Sequence, residues 1–215
     1  MKILLPVSIG EAIDKYSILK LKSENLSGYR KDQVDLEISL LEKDLKKYII
    51  QFNDLFIRLK RVNYIIWKQM DLLRDDDSMS NNTFGLLALK CTLSNDVRFR
   101  IKNKINLLSQ SLIKEQKAYF IKTLKLIFTD LAEKNVFREL IYELSFIYDA
   151  ILIEIKDSSS YQEYFRNDPT VLINQKSEKG YRIVRNEKID KNTSPKKLLN
   201  NLQLQDIYLE ILNIK

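Results

Sequence analysis

The chain has no histidine and one cysteine, Cys91, among its 215 residues. Without imidazole, Ser-His and Cys-His nucleophilic catalysis is excluded, and so is a Cys/His zinc site. A lone cysteine makes no intrachain disulfide. Glycine is almost as scarce: Gly10, Gly28, Gly85 and Gly180 are all there are. None falls in a phosphate-cradling loop or a dinucleotide fingerprint, so no cofactor is expected. No apolar run approaches the roughly 20 residues of a membrane span, and "MKILLP" is too short for a secretory leader, which together point to a cytoplasmic chain.

What is present is 45% hydrophobic and 30% charged residues, the balance of a folded globular chain. The net charge is +7. Residues 1–120 hold 21 Lys/Arg against 15 Asp/Glu, and residues 121–215 hold 15 against 14, so the excess lies in the first part. Such an excess attracts phosphates, nucleic acid or an acidic partner, although a Lys-rich surface also arises from composition alone.

Ser8 followed by Glu11 is a capping box, with the hydroxyl accepting from the Glu11 amide and the carboxylate returning to the Ser8 amide. A first helix then runs to about Leu26, with Gly28 placed to take the left-handed conformation beyond its end. Val34, Ile38, Leu41, Leu45, Tyr48, Phe52, Leu55, Leu59, Val62, Ile66 and Leu73 alternate in steps of four and three, missing only Gln69. This pattern predicts one unbroken helix over residues 31–74, roughly 65 Å long. After the turn "RDDDSMSNN", Thr83 can cap a return helix from Phe84, whose register continues through Val97, Ile101, Ile105, Leu108 and Leu112 to Tyr119. Within it "LSNDVR" is a candidate kink or new cap. The result is a long antiparallel helical hairpin, or coiled coil, with the first helix packed on its open end.

Beyond residue 120 the period changes. "LKLIFTD", "EKNVFRELIYELSFIYD", "AILIEIK", "SSYQEYFRNDP" and "TVLINQK" read strand, helix, strand, helix, strand, which is parallel pairing through crossover helices. "YRIVR" reads as an edge strand, and Ser194–Pro195 open a last amphipathic helix. The fold class is therefore mainly α, with a helical hairpin domain over 1–120 and a small α/β module with a C-terminal helix over 121–215.

"PVSIGEAIDKYSILKLK", "VNYIIW" and "SNDVRFRIKNKINLLSQSLIKEQKAY" resemble the landmarks of a family of small bacterial helical proteins known as a domain of unknown function, over residues 4–120. Relatives are often encoded beside surface-polysaccharide and glycosyltransferase genes, so the resemblance implies a place in glycan assembly. The matching positions are Glu11, Asp14 and Lys15 on the first helix, Asn63 and Trp67 on the long helix, and Asn95, Asp96, Arg98, Lys102, Asn106, Glu115 and Lys117 on the return arm. Residues 121–175 resemble the first βαβ portion of glycosyltransferases with two Rossmann-like domains, though "TDLAEKNVFREL" lacks the glycine turn found there.

Arg98, Lys102 and Asn106 recur every four residues and share a helix side. That row either grips an anion or pairs with Asp14 or Glu115 to fix the first helix. Trp67 reads as core. Three functions follow in order: a non-catalytic scaffold or adaptor; an enzyme with an Arg/Lys/Glu anion site between helices; and a basic nucleic-acid-binding protein. The partner expected is a protein, either a glycosyltransferase or a second copy joined through the long helices.

Overall fold

The computed structural model describes residues 5–75, 79–113, 120–129, 134–175 and 181–212. The chain forms two compact units, Met1–Glu115 and Gln116–Lys215. It is mainly α, with a small parallel sheet in its C-terminal part.

In the first unit, α1 (Ile9–Asn25), α2 (Gly28–Gln51), α3 (Asn53–Asp75) and α4 (Asn81–Leu108) follow one another with short links. The helix predicted over residues 31–74 is not continuous. Phe52 leaves the helical region at φ −114°, ψ 36° and separates α2 from α3. Its own ring is buried, and α1 packs against both segments. A 17-residue helix covers both arms at once only if the long one bends, so tertiary burial outweighs the unbroken heptad pattern. Gly28 takes φ 57° directly after the α1–α2 turn, a conformation that costs a side-chain-bearing residue roughly 1–2 kcal/mol.

α3 and α4 run antiparallel, with Met70 beside Cys91 and Asn63 level with Arg98 through their shared partner Asp14. The α4 cap is Ser80, whose hydroxyl accepts from Thr83 N–H, so the helix starts three residues before the expected Phe84. "LSNDVR" produces no kink. Ser94 Oγ donates to Lys90 O and Asn95 Nδ2 to Cys91 O, one turn back, and the helix runs on. It stops at Leu108, and Leu112, expected in the apolar register, is fully exposed.

The first core is made by Ile13, Tyr16 and Leu19 of α1, Ile38 and Leu45 of α2, Leu55, Leu59 and Val62 of α3, and Val97, Ile101 and Ile105 of α4. Each such side chain contributes about 1.5–3 kcal/mol on burial. Gln69, the gap in the heptad pattern, is buried as well, and its Oε1 has no protein hydrogen-bond partner.

In the second unit, β1 (Ile121–Phe128), β2 (Ala150–Glu154), β3 (Val171–Ile173) and β4 (Tyr181–Ile189) form a fully parallel sheet in the order β3-β2-β1-β4. Leu124 and Leu126 alternate inward on β1, while Ile151, Leu152 and Ile153 are buried on both faces, as parallel strands require. β4 is an edge strand, as "YRIVR" suggests. Between β1 and β2 lie a 3-10 turn (Lys134–Phe137) and α5 (Arg138–Leu144), with Val136, expected in the core, exposed. α6 (Ser159–Tyr164) precedes β3. The predicted last helix is two: α7 (Pro195–Leu202), capped by the Ser194 hydroxyl, and α8 (Asp206–Leu212). Gln203 turns left-handed between them at φ 47°, ψ 49°, which lets Leu198, Leu202, Ile207 and Ile211 all be buried.

Candidate functional site

The N-terminus of α1 is satisfied from within the unit. The Ser8 hydroxyl accepts from Glu11 N–H at 3.1 Å and the Ser8 carbonyl from Ala12 N–H at 3.0 Å. Ile9 N–H donates to Ser111 Oγ at 3.3 Å and Gly10 N–H to Asn106 Oδ1 at 2.7 Å. The first four amides of the helix, the usual anion-binding group, are thereby spent, two on Ser8 and two on Asn106 of α4 and Ser111 just beyond it. Gly10 is what allows the approach. A Cβ there would stand 2.4 Å from Lys102 O and 2.8 Å from Asn106 Oδ1. The reciprocal half of the predicted capping box does not form, because the Glu11 carboxylate accepts from Lys102 Nζ at 2.8 Å instead. A cation across the interface competes better for that carboxylate than a neutral amide.

One turn on, Asp14 is 1% exposed and takes three donors. Arg98 Nε approaches Oδ1 at 2.9 Å, Arg98 Nη2 approaches Oδ2 at 2.5 Å, and Asn63 Nδ2 approaches Oδ1 at 2.8 Å. The same Asn63 amide donates to Ser17 Oγ at 2.7 Å, and Ser17 Oγ donates to Asp14 O. The seam therefore ties α1 to α3 and α4 through a two-pronged Arg–carboxylate contact and an amide bridge. Of the residues singled out in the sequence, Glu11, Asp14, Asn63, Arg98, Lys102 and Asn106 meet here. Asn95 Oδ1 lies 3.4 Å from Arg98 Nη1 at its margin, and Asp96, half-buried, follows it on α4. Lys15 is not part of it, pairing with Glu37 of α2 at 2.6 Å on the surface. Glu115 and Lys117 lie outside the described residues.

Beside the seam a cleft of about 420 Å³ opens between α1, α3 and α4. Its apolar wall is Ile18 and Leu21 of α1 with Ile66 and Met70 of α3. Asn63 and Trp67 complete the α3 side, and one cation comes from each helix: Lys22, Arg74 and Arg98. Trp67 is thus half-buried on a cleft wall rather than enclosed in the core. No carboxylate is among the described lining residues. Asp14 sits behind, holding Arg98 by Nε and Nη2. Lys22 and Arg74 are not among the residues the sequence marks, although Arg74 follows Trp67 by one heptad and Lys22 follows Ile18 by one helical turn. That shared face was the available signal.

Burial pushes the Cys91 thiol up, away from the thiolate a nucleophile needs. In the second unit, Phe128 at the end of β1 is packed edge-on by Phe137 and Tyr161, with ring centres 5.6 and 5.4 Å away. The Tyr161 hydroxyl donates to Lys134 O. Aromatic side chains thus occupy the place just past β1 where open α/β sheets commonly hold ligands. Most of the segment after it, residues 130–133, lies outside the described residues. Compared with protein-family models, curated proteins and solved structures, the chain matches none.

Proposed function

We propose that this protein is a non-catalytic adaptor whose helical unit recognises a small anionic ligand in the Trp67 cleft. One observation carries the reading: cations from three helices and the only tryptophan of the chain line one 420 Å³ cleft with no described carboxylate on its wall. The volume falls within the range of small-molecule sites. The alternative, an enzyme, has less support, because Glu11 and Asp14, its candidate acid or base, are spent on Lys102 and Arg98. Leu36, Leu40, Ile50 and Ile57 are exposed apolar side chains of α2 and α3, interspersed with the exposed Lys43 and Lys47, and this mixed surface is where the adaptor half of the proposal would dock a protein partner. A setting in glycan assembly, with a glycosyltransferase as partner, rests on the family resemblance alone.

The test is thermal denaturation of the full chain in inorganic phosphate and in chloride at equal ionic strength. Phosphate should raise the midpoint of the wild type more than that of a Lys22→Ala/Arg74→Ala variant, which keeps only the general salting-out effect. An equal rise in wild type and variant would overturn the proposal.

A further inference from the structure

We infer that the ligand of the Trp67 cleft is a phosphate monoester carried on a ring, a class that includes mononucleotides and sugar phosphates. This rests on the anion-binding reading above and goes further by fixing both halves of the ligand. The anionic half follows from how the cations are disposed. Arg98 is offset by Asp14, whereas Lys22 and Arg74 have no carboxylate partner among the described residues. The C-terminal ends of α1 and α3 lie on the same side and add partial negative charge, so the cleft keeps a positive excess of the order of one charge. Cations on three helices line the cleft, and a dianionic group with three terminal oxygens can use more than one of them. A planar carboxylate is matched by one two-pronged guanidinium with a neutral amide beside it, as Asp14 is by Arg98 and Asn63.

The other half follows from the remaining wall. Ile18, Leu21, Ile66 and Met70 offer no hydrogen-bonding side chain, and the Trp67 indole stands beside them. Inorganic phosphate would leave that surface uncovered. A base or the apolar face of a pyranose would cover it, and the Asn63 amide, already pointing at Asp14 and Ser17, adds no competing anion.

Trp67 is the only tryptophan, so its fluorescence reads this cleft alone. The full chain is titrated with inorganic phosphate, adenosine, adenosine monophosphate and glucose phosphate, in wild type and in Lys22→Ala/Arg74→Ala. Lys22 and Arg74 are exposed and outside the seam, so the variant should melt like the wild type. The expected result is a saturable change with a ring phosphate at concentrations about tenfold or more below those for inorganic phosphate. The variant should weaken it about tenfold or more, because hydrogen bonds to charged groups are the strong ones. Affinity should also fall as pH drops below about 6, where the monoester takes up its second proton. Preference for the nucleotide assigns a stacked base; preference for glucose phosphate assigns a sugar face; either supports the inference. Inorganic phosphate binding as tightly as both would overturn it while leaving the anion reading intact. Adenosine alone binding as tightly, or an unchanged variant, would overturn it too. No saturable change with any probe would remove both readings.

Discussion

Gly10→Ala is the substitution on which helix propensity and packing disagree in sign. Gly10 lies in the first turn of α1, and alanine is favoured over glycine within helices by about 1 kcal/mol. Propensity alone therefore predicts a stabilised variant. The structure predicts the reverse. The added Cβ would stand 2.4 Å from Lys102 O, about 1 Å inside a normal contact, and 2.8 Å from Asn106 Oδ1. The first obstacle is backbone and cannot swing away, so α1 must move off α4. Overpacking of this kind costs about 1–3 kcal/mol, and stretching the 2.7 Å Gly10–Asn106 hydrogen bond in a buried setting costs about 1–2 kcal/mol more. Against the propensity gain, the net loss is about 1–4 kcal/mol, roughly 5–20 °C in the midpoint of a unit this size. Circular dichroism melts of the full chain, with urea unfolding as a check, measure it. A variant as stable as wild type, or more so, would refute the close α1–α4 approach.

Other outcomes follow from the same geometry. Asp14→Ala should cost about 3 kcal/mol, because it leaves Arg98 and Asn63 without their shared acceptor in a nearly dry place, whereas Lys15→Ala should change stability by less than about 0.5 kcal/mol, its pair with Glu37 being exposed; urea unfolding compares the two. The Tyr164 hydroxyl donates to Glu139 at 2.6 Å, and that bond, with some burial, pushes it up to about 12. A phenol raised above its unfolded value near 10 stabilises fully below pH 10 and loses that contribution as pH climbs to 12; absorbance titration of tyrosinate should show a late-ionising group that Glu139→Gln moves back toward 10. Gln203→Gly should stabilise the C-terminal helices by roughly 1 kcal/mol, since glycine adopts φ 47° without the side-chain penalty; an unchanged or lowered midpoint would show that Gln203 is not strained there.

Much of this fold is written in periodicity. The four-three steps from Val34 to Leu73 mark helices that exist, because burial of one face fixes their period, and the short apolar run of "AILIEIK" marks a strand that the sheet buries on both faces. The break at Phe52 is not written there: Phe52 fits the heptads, and only the need of α1 to cover both arms bends the chain. Likewise "LSNDVR" contains cap-forming residues, but their side chains bond one turn back along an already packed α4. At the site, the spacing of Arg98, Lys102 and Asn106 exposed the seam, and Asp14 was a legible partner. The Glu11–Lys102 pair replaced the expected box because a capping motif describes one helix and cannot register a neighbour. Lys22 and Arg74 were passed over for the same reason, as each reads locally as a cation at a helix C-terminus and only the three-helix arrangement places them beside Trp67.

Asp14 and Arg98 lock α1 into the helical unit as one pair, which in the proposed function leaves recognition to the cleft beside them. A double-mutant cycle on Asp14→Ala and Arg98→Ala, read by urea unfolding of the full chain, tests it most directly. The prediction is a coupling of about 2 kcal/mol, with the double variant little worse than Asp14→Ala alone, because Arg98 has 25% of its side chain in solvent while Asp14 has 1%. Strictly additive single effects would contradict the claim and return both residues to the list of candidate ligand-binding groups.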